Sequence, residues 1–407
     1  MRPVALAIAG WLLLATPSVV VAQDPPPKPR AVELKAADGT VLKATYYAAD
    51  KPGPGVILFH QAQRTRESWS EVATRLAAAG IHTLTPDSRG KGESGGGVDD
   101  WKTMWFQDLD TAFDFLVSQP GVDRNVIGIG GAGGLGVESA VEAARRHASQ
   151  VKSLVVLSGE TEPPQLQFLH ENSRLPGLFV YSDDDEYPPT PREMELLYAA
   201  SPSPAKRLIH YSTASEAPWV WYETFRGTHN VPSKGGHGTD LFRPHPELRE
   251  IIVQWLVTTL IQTPGHAPAD PLAAAPILMD VEFGGGVTRA TRQFLEARKH
   301  DPEVQLWPEV SMTSVGENFG RKGDFRSGIE VFKLNLLAYP SSADLYENIA
   351  EAYLGAGQND LARQSAEKTL ALLDTPGLPA SSWTDTEQYR GEIRKGAEDV
   401  LKKLSEK

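Results

Sequence analysis

The stretch IGIGGAGGLGVESA, residues 127–140, decides the fold. Just upstream, NVIGIG (125–130) is strand-like in length and β-branched content, and downstream ESAVEAARRHA (138–148) carries helical spacing. Between them Gly131, Gly133, Gly134 and Gly136 predict a tight strand-to-helix turn with close packing. Glycine enters positive φ freely, so it suits a turn whose backbone would cost other residues energy. A phosphate-cradling loop is the poorer account, because no Gly-x-Gly-x-x-Gly followed by a ribose-binding acid stands out.

Working outward from this turn, VILF (56–59), HTLTP (82–86), SLVVLS (153–158), LFVYS (178–182) and RLIHYS (207–212) repeat the strand signature. WSEVATRLAAAG and DLDTAFDFLVSQPG have helical spacing and end at glycine or proline. Strand alternating with helix predicts an α/β fold, a mostly parallel doubly wound sheet with helices on both faces. In such sheets ligands bind at the carboxyl ends of the strands.

Composition narrows the partners. The 407 residues suffice for two or three domains, and 41% hydrophobic with 23% charged residues excludes a disordered chain. A net charge of -12 with a pI near 5.4 offers no electrostatic footprint for nucleic acid or anionic lipid. The absence of cysteine rules out disulfides, thiolate zinc sites and lipid attachment through sulfur. His60, His229, His237 and His245 form no ligand pair on one helix face, so neither a metal nor another cofactor is expected.

The N-terminus, MRPVALAIAGWLLLATPSVVVAQ, has a basic start, an apolar run and small or branched residues at Val20 and Ala22. It predicts a signal peptide over residues 1–22, export to the periplasm or beyond, and no membrane attachment after cleavage. The alternative is an uncleaved anchor, against which Pro17 interrupts a run already short for spanning. A Pro-rich tether, residues 23–31, follows.

Five motifs then occur in one order: ILFHQ, PDSRGKGES (86–94), the turn at 128–136, DDDEYPP, and GGHGTDLF. On these, residues 32–262 resemble the α/β-hydrolase family, closest in style to its dienelactone-hydrolase and serine-aminopeptidase-like members. The resemblance places Gly133 at the nucleophile of the Gly-x-Ser-x-Gly elbow, where glycine cannot form an acyl intermediate. It places Asp185 as the orienting acid and His237 as the general base, in the family's chain order. A solvated acidic loop at Asp183–Asp185 and a packed loop histidine are the bland alternatives. The amides of Gln61 and Gly134 match the oxyanion donors, beside His60, which itself has a structural alternative. Because that turn is set by backbone, a serine at 133 is expected to fit. Ser139 and Ser158 are weak substitutes for the nucleophile, and Glu160 is a weak substitute acid. Trp219, Trp221, Tyr222 and Phe225, in an insertion over 212–234, suit either a lid or a local satellite core.

TPGHAPADPLAAAP opens a linker over residues 263–282, and beyond it the pattern turns all-helical. Residues 309–342 and 343–376 repeat at an offset of 34 (343 minus 309): Val315, Gly316, Phe319, Gly328, Phe332 and Pro340 answer Ile349, Ala350, Tyr353, Ala362, Ala366 and Asp374. This resembles the small-aromatic-small skeleton of tetratricopeptide repeats, over residues 283–407, with capping helices at 290–299 and at the C-terminus. A plain helical-hairpin bundle is the alternative. Two function classes follow. One is an exported hydrolase-fold protein acting on or binding a small carbonyl- or ester-type ligand. The other is a non-catalytic pseudohydrolase that binds a ligand through its pocket and a protein or peptide through its repeats.

Overall fold

The computed structural model describes residues 28–97, 101–172, 174–212, 230–232 and 235–406. Among these, nine strands form one sheet: β1 (Arg30–Lys35), β2 (Val41–Tyr47), β3 (Gly53–Phe59), β4 (His82–Pro86), β5 (Val122–Ala132), β6 (Val151–Leu157), β7 (Gly177–Ser182), β8 (Lys206–Ser212) and β9 (Asn230–Pro232). Their order is β1-β2-β4-β3-β5-β6-β7-β8-β9. β2 runs antiparallel to both its neighbours, and every pair from β4 onward is parallel. All six strands expected from sequence are present. The antiparallel β1 and β2 and the short β9 were not anticipated. β1 also begins inside the stretch read as a tether.

Parallel strands are buried on both faces, which is why VILF and LVVL read as continuous apolar runs. Helices α2 (Trp101–Ser118), α3 (Gly133–Arg146), α4 (Pro163–Glu171) and α5 (Thr190–Ala200) flank the strands in chain order, and one core holds Ile57, Leu116, Ile129, Val141 and Leu197. On the other face α1 (Ser70–Ala78) and α6 (Glu247–Val257) cover a second core with Trp69, Val155, Leu178 and Leu256. Each such fully buried aliphatic side chain contributes on the order of 1.5–3 kcal/mol.

The chain leaves β3 toward β4 on one side and β5 toward β6 on the other. In open α/β sheets such a reversal is where ligands bind, at the carboxyl ends of the strands, here those of β3 and β5. Gln61, two residues after β3, and Gly133, immediately after β5, both lie there.

The C-terminal region is helical, and its boundary differs from the expected one. Residues 271–282, read as linker, belong to helix α7 (Pro271–Phe283). Proline at its first position costs no hydrogen bond, and the Asp270 carboxylate caps it by accepting from the Leu272 and Ala273 amides at 2.8 and 3.3 Å. Ala274, Leu278 and Val281 enter the C-terminal core alongside Phe294, Trp307 and Ile329. Helices α8 (Val287–His300), α9 (Glu309–Arg321), α10 (Phe325–Ala338), α11 (Ala343–Gly355), α12 (Asn359–Leu373) and α13 (Glu387–Ser405) follow. The second and third pairs start at 309 and 343, and at 325 and 359, the offset anticipated from sequence. At the small position of α9, the Phe332 ring sits so close to Gly316 that an added Cβ would lie 2.6 Å from it. The two regions touch: the Tyr198 hydroxyl donates to Asp270 at 3.1 Å, and His266 Nε2 lies 2.9 Å from Asp301.

Candidate active site

Strand β5 runs directly into α3, and the first helical residue, Gly133, has φ +64°. That left-handed backbone favours glycine, as the turn predicted. Asp185 stands in the turn after β7, its side chain fully buried, and His237 precedes the 3-10 turn Gly238–Phe242. The two meet: His237 Nδ1 lies 2.9 and 3.0 Å from the Asp185 carboxylate oxygens. Since a carboxylate only accepts, Nδ1 carries the proton and Nε2 keeps its lone pair. Asp185 also accepts from the Tyr187 amide at 2.9 Å, and the Tyr187 ring packs edge-on against His237, centroids 4.6 Å apart.

His237 Nε2 lies 3.0 Å from the position a Cβ on Gly133 would take. Gly133, Asp185 and His237 therefore converge at the strand ends, in that chain order, on a mostly parallel sheet with helices on both faces. The N-terminal part of the chain has the α/β-hydrolase fold. Residues 50–167 match the family model described as serine aminopeptidase S33. No curated protein matches the sequence. Similar solved structures include an esterase of Pyrococcus furiosus, 16% identical, with 62% of this chain and 99% of that one covered and a TM-score of 0.43. A predicted CIB-like hydrolase from Thermoplasma acidophilum is 17% identical, covering 56% and 98%, with a TM-score of 0.40. A dienelactone hydrolase-like promiscuous phosphotriesterase from metagenomic libraries is 18% identical, again covering 56% and 98%, with a TM-score of 0.40.

Against this hydrolase-fold frame, Gln61 is the feature that the motifs did not reveal. Sequence reasoning used only its amide, yet its side chain, 1% exposed, fills the space above Gly133. Gln61 Cβ lies 2.5 Å from the position of a Cβ on Gly133, far inside van der Waals contact. The expectation that serine fits there is corrected: the left-handed backbone at Gly133 strains any side chain, and Gln61 leaves it no room. The carboxamide is held at both ends. Its Oε1 accepts from the Thr239 amide at 2.7 Å and hydroxyl at 2.9 Å, and its Nε2 donates to His237 O and Asp240 Oδ2, both at 3.2 Å. Gly238 lies against Gln61 Oε1 so closely that a side chain there would collide with it. Two glycines thus flank one glutamine. A glutamine directly after the His60 motif position was the available signal.

His60 is structural. Its Nδ1 donates to Gln61 O at 2.8 Å and its Nε2 accepts from the Ser88 amide at 3.0 Å, while burial holds its pKa below the usual histidine value. Neither nitrogen is left for a ligand. Gly134 lies in the first turn of α3, where amides lack intrahelical acceptors. Glu160 stands beside it, with Oε1 3.2 Å from the position of a Cβ on Gly134. A carboxylate there is favoured by the helix N-terminus and opposes an oxyanion at the same place.

Of the two substitute nucleophiles, Ser139 does not serve. Ser139 is buried and doubly engaged, donating to Leu135 O at 2.7 Å and accepting from Trp105 Nε1 at 3.0 Å. Ser158 is fully buried, with φ 47°, the single non-glycine in the left-handed region among the described residues. Within PDSRGKGES, Asp87 and Arg89 form buried ion pairs with Arg66 and with Asp108 and Asp38, which brace the loop. Trp219, Trp221, Tyr222 and Phe225 lie outside the described residues.

Proposed function

We propose that this chain is an exported pseudohydrolase, a hydrolase-fold protein that binds a small ligand at its degenerate site without forming an acyl intermediate. One observation carries the reading: Gln61 occupies the volume a nucleophilic side chain on Gly133 would need. Glu160 supports it, because its carboxylate beside Gly134 raises the energy of a tetrahedral oxyanion. His237 Nε2 and the Glu160 carboxylate both accept hydrogen bonds, so a ligand bearing an N–H or O–H donor suits the site better than a bare ester. The helix pairs are read as tetratricopeptide-like repeats that bind a protein or peptide.

A second reading keeps chemistry at the same place. His237 Nε2 has no hydrogen-bond partner among the described residues and is backed by Asp185, the arrangement of a general base for water attacking a small carbonyl or ester ligand. Two measurements test them, and the second separates them. A fluorophosphonate probe is expected to leave the intact mass unchanged, and stoichiometric labelling of any serine would overturn both readings. Hydrolysis of small activated esters that disappears in His237→Ala would favour the second reading over the first.

A further inference from the structure

Helices α9, α10, α11 and α13 enclose a groove of about 730 Å³, away from the hydrolase elbow. Phe325, Phe332 and Ile393 supply apolar lining. Five carboxylates line the same groove, those of Glu317, Asp344, Glu347, Glu351 and Glu392, against two cations, Arg321 and Lys403. One of the cations is already engaged, since Arg321 pairs with Glu317 at 3.2 Å.

The carboxylates are unequal. Asp344 is buried and satisfied, accepting from the Tyr389 hydroxyl at 2.8 Å and Asn348 Nδ2 at 3.2 Å. Glu347 and Glu351, one helical turn apart on α11, have no hydrogen bond or ion pair among the described residues. Glu347 presses its carboxylate onto Gly396 of α13, where any side chain would collide with it. Burial first, and then repulsion from Glu351, Asp344 and Glu317, push the Glu347 carboxyl up to about 8. A half-buried carboxylate with no partner is a costly feature in a folded protein. A cation entering the groove removes that cost, and the apolar lining accepts the body that carries it.

We propose that this groove binds an extended peptide segment that alternates cationic and apolar side chains, its lysine or arginine heads meeting Glu347 and Glu351. The inference rests on the reading of the helix pairs as an interaction module and adds the chemistry of the partner. Lysine suits the site in particular, because its aliphatic stem packs on apolar surface while its head stays polar.

The test uses the full chain and fluorescein-labelled, end-blocked hexapeptides, Lys-Leu repeated three times and Glu-Leu repeated three times, read by anisotropy at low and at physiological salt. The lysine peptide is expected to bind, the glutamate peptide not to bind, and affinity to fall with salt. Glu347→Gln with Glu351→Gln should weaken binding by roughly tenfold or more, the scale of a lost charge-assisted hydrogen bond. These substitutions relieve repulsion, so the variant is expected to fold. Glu33→Gln on the hydrolase sheet should leave binding unchanged. Equal binding of both peptides, or of the double variant and the native chain, overturns the cationic partner while leaving an interaction module standing. Binding of neither peptide overturns both.

Discussion

Gln61 and Gly133 claim one volume: the Cβ of Gln61 lies 2.5 Å from the point where a side chain on Gly133 would begin. The two positions are therefore coupled. Gly133→Ser alone is expected to destabilise the protein by about 2–4 kcal/mol, from strained backbone and overpacking together, and to remain inert toward esters. Gln61→Gly, which also removes buried hydrogen bonds, should cost less in the Gly133→Ser background than in the native chain. A thermal-denaturation double-mutant cycle reads the coupling, and simple additivity of the two substitutions would show that they do not compete.

The His237–Asp185 contact fixes which ring nitrogen carries the proton. In 15N-resolved NMR spectra, His237 is expected to show protonated Nδ1 and bare Nε2 when neutral, and Asp185→Asn should disturb that preference. His237→Ala should cost about 2–3 kcal/mol, because the buried carboxylate loses a hydrogen bond and, among the described residues, keeps only the Tyr187 amide. A native-state spectrum that shows both neutral tautomers of His237 equally populated would contradict the contact.

Much of the fold was legible because parallel strands buried on both faces leave unbroken apolar runs, as at VILF and LVVL. Asp185 and His237 were legible because their loops carry a recognisable order. The Gln61 plug was not: nothing in its neighbourhood along the chain says that Thr239 and Asp240 will hold it, and those partners lie 178 and 179 residues away. Helix α7 was hidden by composition. PLAAAP reads as a linker until Asp270 is seen capping it and Ala274, Leu278 and Val281 are seen inside a core.

That misread boundary has a consequence for dissection of the chain. A fragment beginning at residue 283 lacks α7 and exposes the surface that Ala274, Leu278 and Val281 cover, so it is expected to aggregate or to unfold at low temperature. A fragment beginning at residue 267 keeps the helix and its Asp270 cap and should be cooperative by circular dichroism. Within the full chain, Leu278→Asp should destabilise the helical region by about 3–5 kcal/mol. If the two fragments melt alike, α7 is dispensable.

The groove acids set a pH dependence whose sign is fixed by their surroundings. Burial is the first cause in both: it raises the Asp344 carboxyl from 3.8 to about 7, with repulsion from Glu309 and Glu317 and opposing hydrogen bonds from Tyr389 and Trp383. Glu347 goes from 4.5 to about 8 under burial and repulsion from Glu351, Asp344 and Glu317. Between the ordinary and the raised values, the folded chain binds more protons than the unfolded chain, so stability falls as pH rises. The helical region should therefore melt at a lower temperature at pH 8 than at pH 5. Glu347→Gln removes one of the two groups and should recover about 1–3 kcal/mol at pH 8 while changing little at pH 5. A cationic occupant lowers both carboxyls, so its binding at pH 7 should release protons, measurable as a buffer-dependent enthalpy. Identical melting at both pH values in the native chain would mean that water reaches these carboxylates freely.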